Sequence, residues 1–275
     1  MRISVIGLGL IGASIAKALS GKTRITGIDN NPEVIDQALA QGVITEGGPN
    51  LSLARGSDLV VIAVPVGSIT DVAKKLIPHL DAGTVITDTG STKEQIVACL
   101  DGLWPDFIGS HPIAGKENPG YQASQADLFS GKVVIITPSE ATKGSNREKA
   151  ARLWESCGAR VIDMDPITHD RLMAIISHMP HLLSFTSMGI AKDLHIHRDL
   201  LGAGFRDFTR IAASDPVMWR DIFLANKPHI LRLIDDYLRE LSSMKELIAS
   251  DESATLEDKL RMYSTIRREL YDNTR

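Results

Sequence analysis

Cysteine is scarce in this chain, with only Cys99 and Cys157 among 275 residues. Both fall in segments that read as helical, far apart in sequence. Neither a disulfide framework nor a cysteine-ligated metal site is expected, and both read as small apolar core residues. No excess of basic charge is present: 30 Lys and Arg stand against 34 Asp and Glu, a formal net charge of −4. That balance gives no support for nucleic-acid or membrane-surface binding, so local cations must hold any anionic substrate. No stretch approaches the ~20 apolar residues of a membrane span. The N-terminus enters an apolar strand at once, without the basic region and long apolar run of a signal peptide. A cytoplasmic protein is expected. Internal repeats and low-complexity segments are also missing.

What is present is an ordinary globular composition, 43% hydrophobic and 23% charged, over a length that suggests two domains. The most informative stretch comes first. Arg2-Ile3-Ser4-Val5-Ile6 is an apolar, β-branched run entering Gly7-Leu8-Gly9-Leu10-Ile11-Gly12, followed by the helix-forming Ala13 to Leu19. In such a strand-turn-helix the first glycine makes the turn and the second admits a pyrophosphate to the backbone. The third lets helix and strand pack closely, with the phosphates on the helix N-terminus. Asp29 closes the next strand, Arg24 to Ile28, 17 positions after Gly12. A carboxylate there takes the ribose hydroxyls of NAD and repels the 2′-phosphate of NADP. Asn30 and Asn31 follow, with no Arg or Lys, which favours NAD. The expected cofactor contacts are Gly7, Gly9, Leu10, Ile11, Gly12 and Asp29.

Strand and helix then alternate. Helix is expected over Pro32 to Ala40, Val66 to Ile77, Lys93 to Leu100 and Arg147 to Cys157. Strands are expected at Asp58 to Val64, Thr84 to Asp88, Phe107 to Ser110, Val133 to Thr137 and Arg160 to Asp163. The continuous apolar run at Leu59 to Val64 is of the kind buried on both faces of a parallel sheet. This is the doubly wound α/β pattern of a Rossmann-type domain. Beyond Pro166 the period becomes helical throughout, which places a boundary between residues 1–164 and 165–275. Thr168 to about Leu194 is apolar nearly all round and is expected to be buried on several sides, with a kink near Ser177 from Pro180. A second long helical region runs from about Val217 to Ile248, with Pro228 as kink or start. Leu231, Ile234, Leu238, Leu241 and Ile248 keep a 3-4 spacing there. That spacing fits packing within the protein or a seam between subunits. The last helix, about Ala254 to Tyr271, is charged and amphipathic.

In open α/β sheets ligands lie beyond the carboxyl ends of the strands. Two segments leave strands there: Asp88-Thr89-Gly90-Ser91-Thr92-Lys93 and Ser110-His111-Pro112-Ile113-Ala114-Gly115. His111, with Ser91 nearby, would face the nicotinamide end of a bound dinucleotide. A histidine in that place suits removal of a hydroxyl proton as the carbon gives up hydride; position alone fits a structural histidine as well. His178 and His181 are three apart in Ile176-Ser177-His178-Met179-Pro180-His181 and share a helix face if the kink permits. No third ligand of suitable spacing accompanies them, and no metal is expected. Gly204-Phe205-Arg206-Asp207-Phe208-Thr209-Arg210 is a dense run of aromatic and Arg residues between helical segments. Arg206 and Arg210 suit carboxylate binding or surface ion pairs.

Taken together these segments resemble the prephenate/arogenate dehydrogenase family of tyrosine biosynthesis, over nearly the whole chain. The S-H-P-I-A-G and G-F-R-D-F-T-R motifs in this order, with the H-x-P-H helix between them, are far more specific than the glycine loop. The resemblance implies a nucleotide-binding domain joined to a helical domain that forms a homodimer. It implies His111 as catalytic base with Ser91 as its partner, and Arg210 as the carboxylate-binding residue. His181 is then the helix histidine beside the substrate side chain, with His178 and Arg206 in support. The implied reaction is NAD-dependent oxidative decarboxylation of prephenate, with arogenate or dual specificity as the alternative. Neither a chorismate mutase domain nor a regulatory domain is expected, so any inhibition by tyrosine would act at the active site. Two rivals share the early motifs. A β-hydroxyacid dehydrogenase would use a helical lysine as base and leaves His111 within S-H-P-I-A-G unexplained. A non-catalytic NAD-binding regulator would have no need of His111, Ser91 and Arg210 together.

Overall fold

The computed structural model describes residues 1–116, 118–193 and 197–272. It forms two compact units, Met1–Lys227 and Pro228–Arg275. The first is built on one eight-stranded sheet of order β3-β2-β1-β4-β5-β6-β7-β8. Its strands are β1 (Arg2–Ile6), β2 (Arg24–Ile28), β3 (Glu46–Gly48), β4 (Leu59–Ile62), β5 (Val85–Asp88), β6 (Phe107–Pro112), β7 (Val133–Thr137) and β8 (Arg160–Asp163). Between them run α1 (Leu10–Leu19), α2 (Pro32–Ala40), α3 (Ile69–Leu76), α4 (Glu94–Asp101) and α5 (Gly144–Ser156). Alternation along each strand divides the core in two. Ile3, Val5, Leu59 and Val61 pack in one buried cluster with Ile15 and Trp154. Val60 and Ile62 pack in the other with Ile69, Leu76 and Ile96. Each such side chain removed from water contributes about 1.5–3 kcal/mol, and Ile3, Val5, Leu59, Val60, Val61 and Ile62 are wholly buried.

The sheet reverses at β1, where β2 lies on one side and β4 on the other. That switch point opens a crevice at the carboxyl ends of the strands. Two features of the sheet were not foreseen. β3 is a short strand of Glu46, Gly47 and Gly48 paired with β2; a three-residue segment with two glycines carries no hydrophobic period. β7 runs antiparallel to β6, with Ser110 opposite Ile136 and His111 opposite Ile135. The connection between them, residues 113–132, holds among its described residues the short 3-10 turn Tyr121–Ala123 and no crossover helix. Cys157 is buried, and burial pushes its thiol pKa up to about 12. It is an inert core residue.

Helices follow the sheet: α6 (Pro166–Met173), α7 (Met179–Ala191), α8 (Ala203–Arg210) and α9 (Pro216–Ala225). The kink expected from Pro180 takes the form of a π-helical turn, Ala174–His178, in which Met179 N–H bonds to Ala174 O. A proline lacks the N–H that would continue the regular ladder, and one widened turn absorbs the loss. The expectation that Thr168 to Leu194 is buried on several sides is not met within the chain. Ile175 is 49%, Ile176 64% and Ile190 74% exposed, so the described residues leave these side chains uncovered. Leu194 itself lies outside the described residues. The segment around Arg206 is not a linker between helices but a helix, α8, started by Gly202 in extended conformation. Thr209 Oγ1 bonds back to Phe205 O within it.

The second unit contains most of α10 (Lys227–Ala249) and all of α11 (Ser253–Asp272). Pro228 stands at the second position of α10, so it starts that helix. The two helices run antiparallel, since Lys259 Nζ meets Ser243 Oγ at 2.8 Å and Glu240 Oε1 at 2.8 Å while Tyr263 also reaches Glu240. The reversal passes through Asp251 at φ 53°. Leu231, Leu238, Leu241 and Ile248, from the 3-4 seam, are all more than half exposed on α10.

Candidate active site

Four clefts lie side by side along the carboxyl edge of the sheet. At one end Gly7, Gly9, Asp29, Asn30 and Lys75 line a cleft of about 510 Å³. It shares Gly9, Ala63, Val64 and Pro65 with the next, which Leu10, Ile11, Thr89 and Ser91 extend. The second shares Leu10, Ile11, Thr89 and Ser91 with a largely apolar cavity of about 830 Å³ that holds His111, His178 and His181. A mouth lined by Arg210 and Asn118 adjoins this cavity and shares His181, Met218 and Trp219 with it. A long ligand with a polar head at each end and a flat centre fits that run.

The glycine loop fits a dinucleotide for geometric reasons. Gly7 adopts φ +89°, and a Cβ there would meet Ala63 O at 2.5 Å. At Gly12 a Cβ would meet Gly7 O at 1.9 Å, so only glycine lets α1 approach the turn. The face of Gly9 is open, with nothing within 4 Å of a Cβ position. Unpaired N–H groups at the start of α1 therefore stand free for an anion. Asp29 is held in place by Leu8 N–H at 2.7 Å on Oδ2 and Asn31 N–H at 2.9 Å on Oδ1. Lys75 of α3 lines the same cleft, a cation that the residues after Asp29 gave no sign of.

At the other end, β6 carries His111 to the cavity wall. His111 Nδ1 lies 2.9 Å from His169 Nε2, and His169 Nδ1 lies 2.7 Å from Asp170 Oδ1. His169 and Asp170 are buried, at 0% and 1% exposure. Asp170 also accepts the backbone N–H of Lys93 at 2.7 Å and of Glu94 at 2.9 Å, where α4 begins. An acceptor-only carboxylate fixes the tautomers in turn. His169 must donate through Nδ1, so its Nε2 accepts and His111 must donate through Nδ1. The Nε2 lone pair of His111 is thereby left to the cavity. Burial, then the neighbouring His169, Lys93 and His178, hold the pKa of His111 well below the usual histidine range. The ring is neutral at neutral pH.

Beneath this chain lies a buried ion pair. Lys93 and Asp88 are both 0% exposed and in direct contact. Lys93 also donates to Ser110 O at 2.9 Å, and Asp88 Oδ1 accepts Ser110 N–H at 3.1 Å. The pair clamps the loop after β5 to β6 just before His111. Ser91, from the same loop, lines both the second cleft and the cavity.

The helix histidines have distinct settings. His178 is buried and accepts from Asn226 Nδ2 at 3.0 Å; burial lowers its pKa to about 4. His181 donates Nδ1–H to Ser177 O at 2.9 Å and stacks on Trp219 with ring centroids 3.6 Å apart. Its pKa is lowered by burial and, less strongly, by Arg210. Asn226 Nδ2 also donates to Asp170 O at 2.8 Å, joining His178 to the His169 pair. Arg210, at the C-terminal end of α8, lines the mouth beside His181. Arg206, one turn earlier, does not line any of these clefts among the described residues.

Comparison with known proteins agrees in both halves. The family model described as prephenate dehydrogenase, nucleotide-binding domain, matches residues 13–163. That of the prephenate dehydrogenase dimerization domain matches residues 165–262. The chain belongs to the prephenate dehydrogenase family. It is 35% identical over 266 residues to a cyclohexadienyl dehydrogenase of Zymomonas mobilis, covering 91% of this chain and 89% of the relative. To a prephenate dehydrogenase of Bacillus subtilis it is 34% identical over 270 residues, covering 92% of this chain and 72% of that one. The crystal structure of prephenate dehydrogenase from A. aeolicus, solved with hydroxyphenyl propionate and NAD+, superposes with a TM-score of 0.91. It is 36% identical, and 98% of each chain is covered.

For a dehydrogenase of this family, the residues that sequence reasoning passed over are His169, Asp170, Trp219 and Asn226. The adjacent His169-Asp170 pair sits one turn into the first helix after the period changes. That was a usable signal: a His-Asp pair just ahead of an apolar run is either exposed or partnered. Trp219 and Asn226 carried no local sign of their role.

Proposed function

We propose that the chain is an NAD-dependent prephenate dehydrogenase that converts prephenate to 4-hydroxyphenylpyruvate and CO2. The observation that carries this reading is the Asp170-His169-His111 chain, which presents a neutral His111 Nε2 lone pair to an apolar cavity between the glycine-loop cleft and Arg210. Residues 1–164 hold the nucleotide and 165–275 supply the substrate-side helices. The glycine loop and Asp29 would hold NAD, which when bound would supply the hydride acceptor. His111 takes the proton of the 4-hydroxyl as C4 loses hydride and becomes a carbonyl carbon. The bond to the ring carboxylate then breaks, its electron pair enters the ring and CO2 leaves. The aromatised oxygen recovers the proton from His111. Ser91 orients this end, and Arg210, with His181 beside it and Arg206 nearby, holds the side-chain carboxylate. A positioned base contributes ~10²–10⁴-fold, and orientation contributes further.

Arogenate is the second reading, and one observation favours it. Because His181 donates Nδ1–H to Ser177 O, its neutral ring offers Nε2 as an acceptor, which suits an ammonium. Absorbance of NADH formed from NAD with prephenate or arogenate tests both readings. No NADH from either substrate overturns the dehydrogenase assignment, and the ratio of rates chooses between them.

The chain works as a homodimer in this proposal, its exposed Ile175, Ile176, Leu238 and Leu241 meeting a second copy. The family description of residues 165–262 as a dimerization domain supports this. Tyrosine, which has the product's ring and a carboxylate, would inhibit by occupying the same cavity. With both cysteines free, a reducing cytoplasm is the proposed location.

A further inference from the structure

We propose that Lys116 is a specificity residue that binds the carboxylate of the substrate side chain and biases the site toward a keto acid over the corresponding amino acid. This rests on the dehydrogenase reading and deepens it. Lys116 lies five residues beyond His111, on the segment that leaves β6. It is exposed and lines the second cleft, beside Leu10 and Ser91, the cavity of His111 and the mouth of Arg210. Among the described residues it has no hydrogen-bond or ion-pair partner, so its ammonium offers three donors to a ligand. The mouth is about 610 Å³, and its described lining holds Lys116 and Arg210 but no carboxylate.

The substrate has two carboxylates, and the chemistry decides which one a cation can hold. The ring carboxylate leaves as CO2 and loses its charge in the process. A cation there would stabilise the ground state more than the transition state and slow the step. Next to His111 the cavity walls are apolar, among them Pro112, Ile135, Met173 and Ile176, and the cation of that lining is Lys116 itself, which the cavity shares with the mouth. The cations of the mouth therefore belong to the side chain. A keto acid brings only negative charge to that end. An amino acid adds an ammonium on the neighbouring carbon, which Lys116 repels.

Steady-state kinetics of the full-length Lys116→Ala and Lys116→Arg enzymes, with prephenate, arogenate and NAD varied separately, test this. Lys116→Ala should raise KM for prephenate about tenfold, the scale of one charge-assisted bond at a solvated site. It should change kcat by less than about threefold and raise KM for arogenate less than KM for prephenate, because relief of the repulsion offsets the lost carboxylate contact. The preference ratio in kcat/KM then moves severalfold toward arogenate, while Lys116→Arg keeps most of the original preference. An unchanged Tm shows that the exposed substitution did not disturb folding. A ratio within twofold of the unsubstituted enzyme, or an unsubstituted enzyme that prefers arogenate, overturns the proposal. So does a rise in KM for NAD with prephenate unaffected, which would place Lys116 on the dinucleotide. Failure of the underlying reading is distinct: the unsubstituted enzyme then forms NADH from neither substrate.

Discussion

His111 Nδ1 and His169 Nε2 lie 2.9 Å apart, and the other ring nitrogen of His169, Nδ1, bonds to Asp170 Oδ1 at 2.7 Å. One buried carboxylate thus selects the tautomer of a ring it never touches. His169→Ala removes the acceptor for His111 Nδ1–H and lets the ring rotate or change tautomer. The expected result is a fall in kcat of about 10–100-fold, with KM for substrate within a fewfold. A pure packing defect would instead lower Tm and spare the kcat of the folded fraction. Measuring active-site concentration alongside kcat separates the two.

Substitution of His111 itself should be more severe. His111→Asn should cost at least the ~10²–10⁴-fold ascribed to a positioned base, with little change in KM. Arg210→Ala should do the reverse, raising KM by about 10–100-fold through a lost charged hydrogen bond. Near-normal kcat in His111→Asn would refute the assignment of the base.

The pH profile follows from the direction of the His111 shift. Its burial, with His169, Lys93 and His178 beside it, favours the neutral form, which is the form that accepts a proton. Protonation, and with it the acid-side loss of kcat/KM, is therefore displaced below the ordinary histidine value of about 6.5. The profile should remain flat from pH 8 down through about pH 6.5. A limb centred above 7 would contradict the assigned environment.

Cofactor choice depends on Asp29. Asp29→Ser should raise KM for NAD and lower KM for NADP, because the repelling carboxylate is gone and Lys75 lines the same cleft. A ratio of NAD to NADP efficiency that does not change would remove Asp29 from the ribose site.

The buried Lys93–Asp88 pair yields a stability prediction. Lys93→Met leaves an uncompensated carboxylate at zero exposure and should cost about 3–5 kcal/mol, a fall of roughly 10 °C in Tm. The double substitution Lys93→Met with Asp88→Leu should recover much of it. Differential scanning calorimetry of the three proteins gives the comparison.

The alternating strands and helices, the glycine loop, Asp29 and the turn to helix after residue 164 were all legible in the residues. These signals are local: a period of 2 or 3.6, a cap, a glycine where a Cβ has no room. Only tertiary structure could decide the antiparallel pairing of β6 with β7, since two strands joined by a long loop admit either direction. The same holds for His169, which meets His111 across 58 positions, and for Asn226, which reaches Asp170 across 56. Lys75 and Lys116 acquire meaning only when the folded chain brings them to the clefts. The sequence by itself determined most of the strands and helices and the glycine turn that enters α1. Which side chains meet around His111 was decided by packing, because contacts between residues distant along the chain leave no periodic trace in it.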